Sequence, residues 1–216
     1  VFKSKSPSSG MERVKIYPVS GGAATKTGVG IFAREFMKAF PLLPVEEEGR
    51  LHDPDLRENF IERIFVMHRW QSMIAAKPRY GDLVVFHSAH KYLMLAHSPE
   101  HYRKMGKLVA TSKERDFSDV LAEYFELLML GSKRGATPSK HQNVLLHILG
   151  YFKKELDADE KQELLGLIDS YKAGLIPLIV PITLINHYVK KYHKGYLADQ
   201  VYLNPHPMEL KLRNHA

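Results

Sequence analysis

Residues 141–154 read HQNVLLHILGYFKK, which has the period of an amphipathic α-helix. One stripe of this segment is apolar and comprises Val144, Leu145, Ile148, Leu149 and Phe152. The opposite stripe is polar, cationic and aromatic and comprises Lys140, Asn143, His147, Tyr151 and Lys154. The segment therefore predicts a helix that buries one face in a helical core and presents the other to solvent.

Two other stretches combine histidine, tyrosine and lysine, FHSAHKYLMLAHSPEHYRK at 86–104 and NHYVKKYHK at 186–194. The second predicts a polar helical face that comprises Thr183, His187, Lys190 and Lys194, with Ile182, Ile185 and Val189 behind it. Lysines attract phosphates, and tyrosine and histidine rings can stack on unpaired bases. These faces favour RNA, although lysines at helix ends are also common as solvated groups that complement the helix dipole.

Composition sets limits on the class of protein. A chain of 216 residues with a net charge of +7 suits one domain, or one domain plus a fragment, and permits a nucleic-acid partner. No apolar run reaches the roughly 18 residues of a membrane span, and no signal peptide is visible, so we expect no membrane partner. The absence of cysteine excludes disulfides, Fe–S clusters and thiolate zinc sites in this chain, and we expect a cytoplasmic location. Because the chain starts with Val1, we expect it to begin inside a larger protein.

The order of elements predicts a mainly α protein with a boundary at the KPRYG segment, 77–81. Before it we expect a strand at 12–17, a surface loop over SGGAATKTGVG (20–30), a solvated turn at Glu46-Glu47-Glu48, and helices over 28–40 and 54–76. Beyond it we expect helices near 82–96, 99–110, 118–130, 138–154, 158–173, 178–192 and 195–202. Ser98, Thr137 and Asp157 are the expected helix caps. The predicted division is 1–78, the C-terminal part of an α/β domain, and 79–216, an all-α domain.

Three further sequence features could carry chemistry, but simpler roles are favoured for each. The loop before Lys26 lacks the glycines of a phosphate-binding loop, because Ser20 and Thr25 occupy their places. His87, His90, His97 and His101 have spacings that zinc could use, but RNA-facing or hydrogen-bonded roles are favoured. No GxSxG motif points to a catalytic serine.

Long stretches of the chain resemble a known family. FHSAHKYLMLAHSPEHYRKMGKLVA (86–110), HQNVLLHILGYFKKELDADEKQELLGLIDSYKAGLIPLIVPITLINHYV (141–189) and YLADQVYLNPHPMELKLRN (196–214) resemble the YbgA-like domain, which covers about 79–216. KSKSPSSGMERVKIY (3–17) and GVGIFAREFMKAFPLLPVEEEGRLHDPDLRENFIERIF (28–65) resemble the last third of a thiouracil-desulfidase-type domain. The two-domain arrangement is similar to the bacterial tRNA 4-thiouridine desulfidase family.

The resemblance implies an activity that this chain lacks the means to perform. In the family, three cysteines of the N-terminal domain hold a [4Fe–4S] cluster that takes sulfur from a thiolated base, and the YbgA-like domain is thought to hold the tRNA. Here Ser9 stands at the cysteine position of the family's SPSCG pattern, and a hydroxyl is a poor iron ligand. The resemblance also implies a missing N-terminal desulfidase portion. We therefore expect no cofactor in this chain and no catalysis by it alone.

The leading hypothesis is an RNA-binding module, for tRNA, within a desulfidase architecture, and it leaves the oligomeric state open. The expected RNA contacts are Lys91, Tyr92, Lys140, Asn143, His147, Tyr151, Lys154, Asn186, His187, Lys190 and Lys191. Two alternatives stay open: a parent protein that is an active Fe–S-dependent desulfidase, and a helical scaffold for protein interactions.

Overall fold

The computed structural model of the chain describes residues 1–215, whose contacts group into two compact units. The first unit comprises Val1–Ile64 and the second begins at Phe65. This division falls within one long helix, Pro54–Ala75. The sequence predicts a domain boundary between residues 78 and 79, at the KPRYG segment, and that boundary stays a prediction.

The first unit contains two short strands, two α-helical segments and a 3-10 turn at Arg50–His52. Strands β1 (Val14–Ile16) and β2 (Thr25–Gly28) pair antiparallel and are followed by α1 (Ile31–Ala39) and the start of α2 (Pro54–Ala75). β1 lies inside the strand expected at 12–17. β2, however, occupies part of the segment expected to be a surface loop, because its β-branched threonines can pair with β1.

The expectation of a solvated turn at 46–48 is wrong for two of its three glutamates. Glu46 and Glu47 are buried, and only Glu48 is exposed. An oxygen of the Glu47 carboxylate accepts the backbone N–H of Met11 at 2.8 Å, and that of Glu46 accepts Nε of Arg50 at 2.7 Å. Since buried carboxylates are costly without partners, these bonds explain how the two side chains fit into the interior.

The second unit is built of helices, which confirms the mainly α fold class. After the end of α2 come α3 (Tyr80–His97), α4 (Pro99–Ala110), α5 (Phe117–Ser132), α6 (Pro138–Leu149), α7 (Ala158–Lys172), α8 (Ile179–Lys191) and the short α9 (Gly195–Ala198). Helix α3 packs against α4, α5 and α6, and the chain continues through α6–α7 and α7–α8 contacts. Within residues 1–215, no helix is both long enough and apolar enough to span a membrane.

The helix starts follow the expected caps. The side chain of Ser98 accepts the backbone N–H of His101 at the start of α4, and that of Thr137 accepts the N–H of Lys140 at the start of α6. Asp157 and Glu160 form a capping box at the start of α7. Each acceptor satisfies an N–H that has no partner within the helix.

Helix α6 is shorter than the sequence period suggests. It ends at Leu149, and Gly150–Phe152 form a 3-10 turn in place of the helix expected to 154. Apart from proline, glycine has the lowest helix propensity of all residues, and Gly150 therefore accounts for the early end of α6. The apolar stripe is nevertheless buried, and Phe152 remains in the core.

Aromatic packing forms the centre of the second unit. Trp70 stacks on Tyr124 at a ring separation of 5.4 Å and on Phe125 at 5.5 Å, and meets the edge of Phe86 at 5.4 Å. Trp70 belongs to α2, whereas its partners belong to α3 and α5. This cluster therefore joins three helices.

Candidate nucleic-acid interface

The eleven expected RNA contacts all lie in the second unit, and the structure separates them into groups. One group lies around Lys91, and a second lines a cavity beside α8. Two lysines, Lys140 and Lys191, contact carbonyl or carboxylate groups of the same unit. The remaining three side chains, those of Asn143, His147 and Lys154, are exposed on α6 and just beyond the turn that follows it.

Lys91 lies among tyrosine rings that come from three separate parts of the chain. Its Nζ is 5.0 Å from the ring centroids of both Tyr92 and Tyr196. Tyr151 stacks on Tyr196 at 5.4 Å with 20° between the planes, and the Tyr92 hydroxyl donates to that of Tyr151 at 3.3 Å. We call Lys91, Tyr92, Tyr151 and Tyr196 the tyrosine–lysine cluster. It places a cation directly beside a pair of stacked rings.

Two rings of the cluster face solvent. Tyr151 and Tyr196 are 39% and 37% exposed, whereas Tyr92 is buried. Burial raises the pKa of Tyr92, and the hydrogen bond from Tyr92 lowers the pKa of Tyr151. Burial is the largest single influence on Lys91 and lowers its pKa. The hydrogen bond with Tyr196 and the electrostatic interactions with Tyr196, Tyr151 and Tyr102 together outweigh it, so that the pKa is raised. Lys91 is therefore cationic at neutral pH, and two rings beside it remain accessible.

Lys140 and Lys191 have partners within the unit. Nζ of Lys140 donates to the carbonyl of His97 at 2.8 Å and to that of Gly135 at 3.1 Å. Nζ of Lys191 lies 2.7 Å from the carboxylate of Glu160. These contacts give both lysines a structural role, and a phosphate would have to compete with them.

The expected contacts on α8 lie at a cavity of about 430 Å³. Asn186, His187 and Lys190 line it together with residues of the C-terminal segment 203–214. We call this space the α8 cavity. Of the three, His187 and Lys190 are exposed and Asn186 is half-buried.

The histidines considered as zinc ligands are held by hydrogen bonds instead. Nδ1 of His87 pairs with the Tyr124 hydroxyl at 3.1 Å. The corresponding partners are the Phe86 carbonyl for His90, the Arg134 carbonyl for His97 and the Ser98 hydroxyl for His101. Among residues 1–215 no group of three or more histidines and carboxylates is arranged to hold a metal ion.

His90 should make the stability of the second unit depend on pH. It is buried against Phe86, and this burial lowers its pKa from 6.5 to about 4. The unfolded chain therefore binds a proton in this range that the folded chain does not. The contribution of neutral His90 to the free energy of unfolding is fully present above about pH 6.5. It is lost as the pH falls towards 4, and the total loss is about 3 kcal/mol.

Denaturant unfolding at pH 7 and pH 4.5 tests this for wild type, His90→Leu and His147→Gln, a control at an exposed position. We expect a smaller loss of unfolding free energy on acidification in His90→Leu than in the other two. An unchanged loss in His90→Leu would contradict the assignment.

Tyr196 is the member of the cluster that the sequence did not single out. It lies in α9, outside the three stretches rich in histidine and lysine. Its one local signal is its place four residues after Tyr192, in a tyrosine-rich segment. The pairing with Tyr151 joins positions 45 residues apart, so no local spacing could have shown it.

Comparison with known proteins places these features in a family. The profile of the family described as "Protein of unknown function (DUF1722)" matches residues 91–207, a range that includes the whole tyrosine–lysine cluster. The chain is 35% identical over 153 residues to "Uncharacterized protein YbgA" of Escherichia coli (strain K12), covering 70% of this chain and 90% of that protein. No solved structure matches the chain significantly. The chain therefore belongs to the DUF1722 family, and its second unit carries a YbgA-like domain.

Proposed function

We propose that the second unit binds RNA, and specifically tRNA, through the tyrosine–lysine cluster. The observation that carries the proposal is the stacked, solvent-facing pair Tyr151 and Tyr196 with the Lys91 ammonium beside it. A ring pair with more than a third of each side chain exposed offers a stacking surface for unpaired bases. The adjacent cation suits the phosphates that accompany those bases.

Cations near the cluster extend this surface. Lys153 and Lys154 follow Tyr151 almost directly, and both are exposed. In the described part of the chain neither pairs with a carboxylate, unlike Lys191 and Lys194. The first two lysines are therefore available to phosphates. We assign smaller parts to Lys140 and Lys191, whose ammonium groups are already engaged.

The choice of tRNA rests on the resemblance to the thiouridine desulfidase family, whereas the cytoplasmic location rests on the composition of the chain. The same resemblance suggests that residues 1–78 are the C-terminal part of a desulfidase-type domain. Ser9 lines a cavity whose other walls include Phe2, Phe32 and Phe36. That cavity offers no thiolate, because the chain has no cysteine. The residues present therefore do not fit a [4Fe–4S] cluster, and we assign no desulfurisation step to this chain.

The salt dependence of tRNA binding tests the proposal. Labelled tRNA is titrated with the protein at several salt concentrations, and binding is followed by fluorescence anisotropy. Each neutralised phosphate should contribute about −0.7 to −0.9 to the slope of the logarithm of the binding constant against the logarithm of the salt concentration, which we call the log–log slope. Lys154→Gln should make the slope shallower by about one unit. Lys26→Gln, an exposed lysine of the first unit, is the matched control and should leave it unchanged.

Two results would reject the proposal. One is the absence of binding near about 50 mM salt, and the other is a flat log–log plot. Either would favour the alternative of a protein-interaction scaffold, because phosphate contacts are the sequence-independent source of RNA affinity.

A further inference from the structure

We propose that the α8 cavity is a binding site for a nucleoside monophosphate unit, either as a free mononucleotide or as an unpaired nucleotide of RNA. The RNA-borne form rests on the proposed function, whereas the free form does not. The cavity shares no residue with the tyrosine–lysine cluster. It is therefore a separate site in the same unit.

The base of the cavity is apolar. Ile182 of α8 and Leu203 and Leu212 of the C-terminal segment are buried and line it. Its volume of about 430 Å³ lies within the range of ~300–1,000 Å³ found for small-molecule sites. An apolar floor of this size suits the flat face of a base.

The rim of the cavity is cationic. Lys190 and Lys211 are exposed, and within residues 1–215 neither pairs with a carboxylate. His187 lies about one helical turn before Lys190 on α8 and also lines the cavity. No aspartate or glutamate is among the lining residues. Positive groups without counter-charges at the mouth of a cavity attract an anionic group such as a phosphate.

Amide side chains distinguish a nucleotide from a simpler anion. Asn186, Asn204 and Asn214 all line the cavity, and Nδ2 of Asn186 points to Oδ1 of Asn204 at 3.5 Å. An amide both donates and accepts hydrogen bonds, as do the edges of bases and the ribose hydroxyls. Inorganic phosphate would need only the cations, and a fatty acid would leave the amides unused. The combination therefore favours a base, a sugar and a phosphate together.

The wall formed by the C-terminal segment is fixed to the rest of the unit. The backbone N–H of Ile179 donates to the carbonyl of Arg213 at 3.1 Å, and Nη1 of Arg213 donates to the carbonyl of Tyr202 at 2.7 Å. Lys211 has a left-handed backbone with φ of 50°, a conformation that costs energy for a residue with a side chain. Strained backbone held in place by its surroundings is typical of ligand sites.

Isothermal titration calorimetry of the full chain with AMP, GMP, CMP, UMP and inorganic phosphate tests the proposal. We expect at least one mononucleotide to bind with a Kd of about 1 mM or lower, and phosphate to bind at least about tenfold more weakly. Asn186→Leu and Lys190→Gln should each weaken nucleotide binding by about tenfold or more. Lys161→Gln, an exposed lysine of α7, is the control and should bind as wild type does.

The outcomes separate this proposal from the previous one. Tyr151→Ala with Tyr196→Ala should weaken tRNA binding and leave mononucleotide binding intact. Nucleotide binding without tRNA binding would support the cavity as a site for free nucleotides and reject the RNA function. If mononucleotide binds, its displacement from the wild-type chain by a single-stranded oligoribonucleotide would support the RNA-borne form, and Asn186→Leu should then bind the oligoribonucleotide more weakly when that binding is measured directly. The proposal is overturned if no mononucleotide binds at millimolar concentration, if phosphate binds as tightly, or if both cavity variants bind as wild type does.

Discussion

Replacing Trp70 by alanine is expected to lower the free energy of unfolding of the second unit by about 3–5 kcal/mol. The indole is 5% exposed and contacts aromatic rings on α3 and α5. Removing it takes away the transfer energy of a large apolar side chain and leaves a cavity that neighbouring rings can fill only in part. It also removes stacked and edge-to-face ring contacts, each worth about 0.5–1.5 kcal/mol beyond the buried area.

Denaturant unfolding followed by circular dichroism measures this effect. Gln71→Ala is the matched control, since Gln71 is the next residue of α2 and is exposed. Its change should stay within about 0.5 kcal/mol. Trp70→Phe should recover part of the loss, because a smaller ring can still pack between the partners. A loss below about 1 kcal/mol in Trp70→Ala would show that the cluster does not hold these helices together.

Replacing both Tyr151 and Tyr196 by alanine is expected to weaken tRNA binding about 30-fold or more, because each lost base stack is worth at least about 1 kcal/mol. The rings stack on each other at 5.4 Å and both are partly exposed, so the double variant removes the whole stacking surface. Anisotropy titration at a single low salt concentration measures the change.

Two further variants identify the cause of that loss. Replacing both tyrosines by phenylalanine keeps the rings and should retain most of the affinity. Tyr17→Ala removes a tyrosine of the first unit that is 66% exposed, and it should bind as wild type does. Equal losses in the phenylalanine and alanine pairs would point to the hydroxyl groups and against stacking.

The helices could be predicted from the sequence because their signals are local. Ser98 and Thr137, each followed by proline, cap α4 and α6, and the apolar stripe of α6 is buried as expected. The end of α6 was misplaced because Gly150 outweighs the continuing apolar period. The burial of Glu47 was missed because the N–H group that it accepts belongs to Met11, 36 residues away. Glu46 has a partner only four residues away, Arg50, but that spacing alone does not show burial.

The candidate site could be predicted only in part, for the same reason. Lys91, Tyr92 and Tyr151 lie in the stretches that the sequence marked, but Tyr196 joins them through tertiary packing. Lys191 was expected to face RNA, and Glu160, 31 residues away, gives it an ion pair that no local spacing reveals. Residue type thus indicated the surface, whereas the neighbours of each side chain depend on how distant helices pack.

The position of Lys91 between two rings has a consequence for the kinetics of recognition. A lysine side chain gives up as much as about 2 kcal/mol of rotamer entropy when it is ordered. Tyr92 and Tyr196 restrict the Lys91 side chain in the folded protein, so its rotamer entropy is lost on folding and not on binding of a ligand. Such preorganisation favours slow dissociation over fast adaptation to different partners. In the proposed function, the cluster is therefore suited to selecting one RNA shape, while the exposed Lys154 can adjust to many.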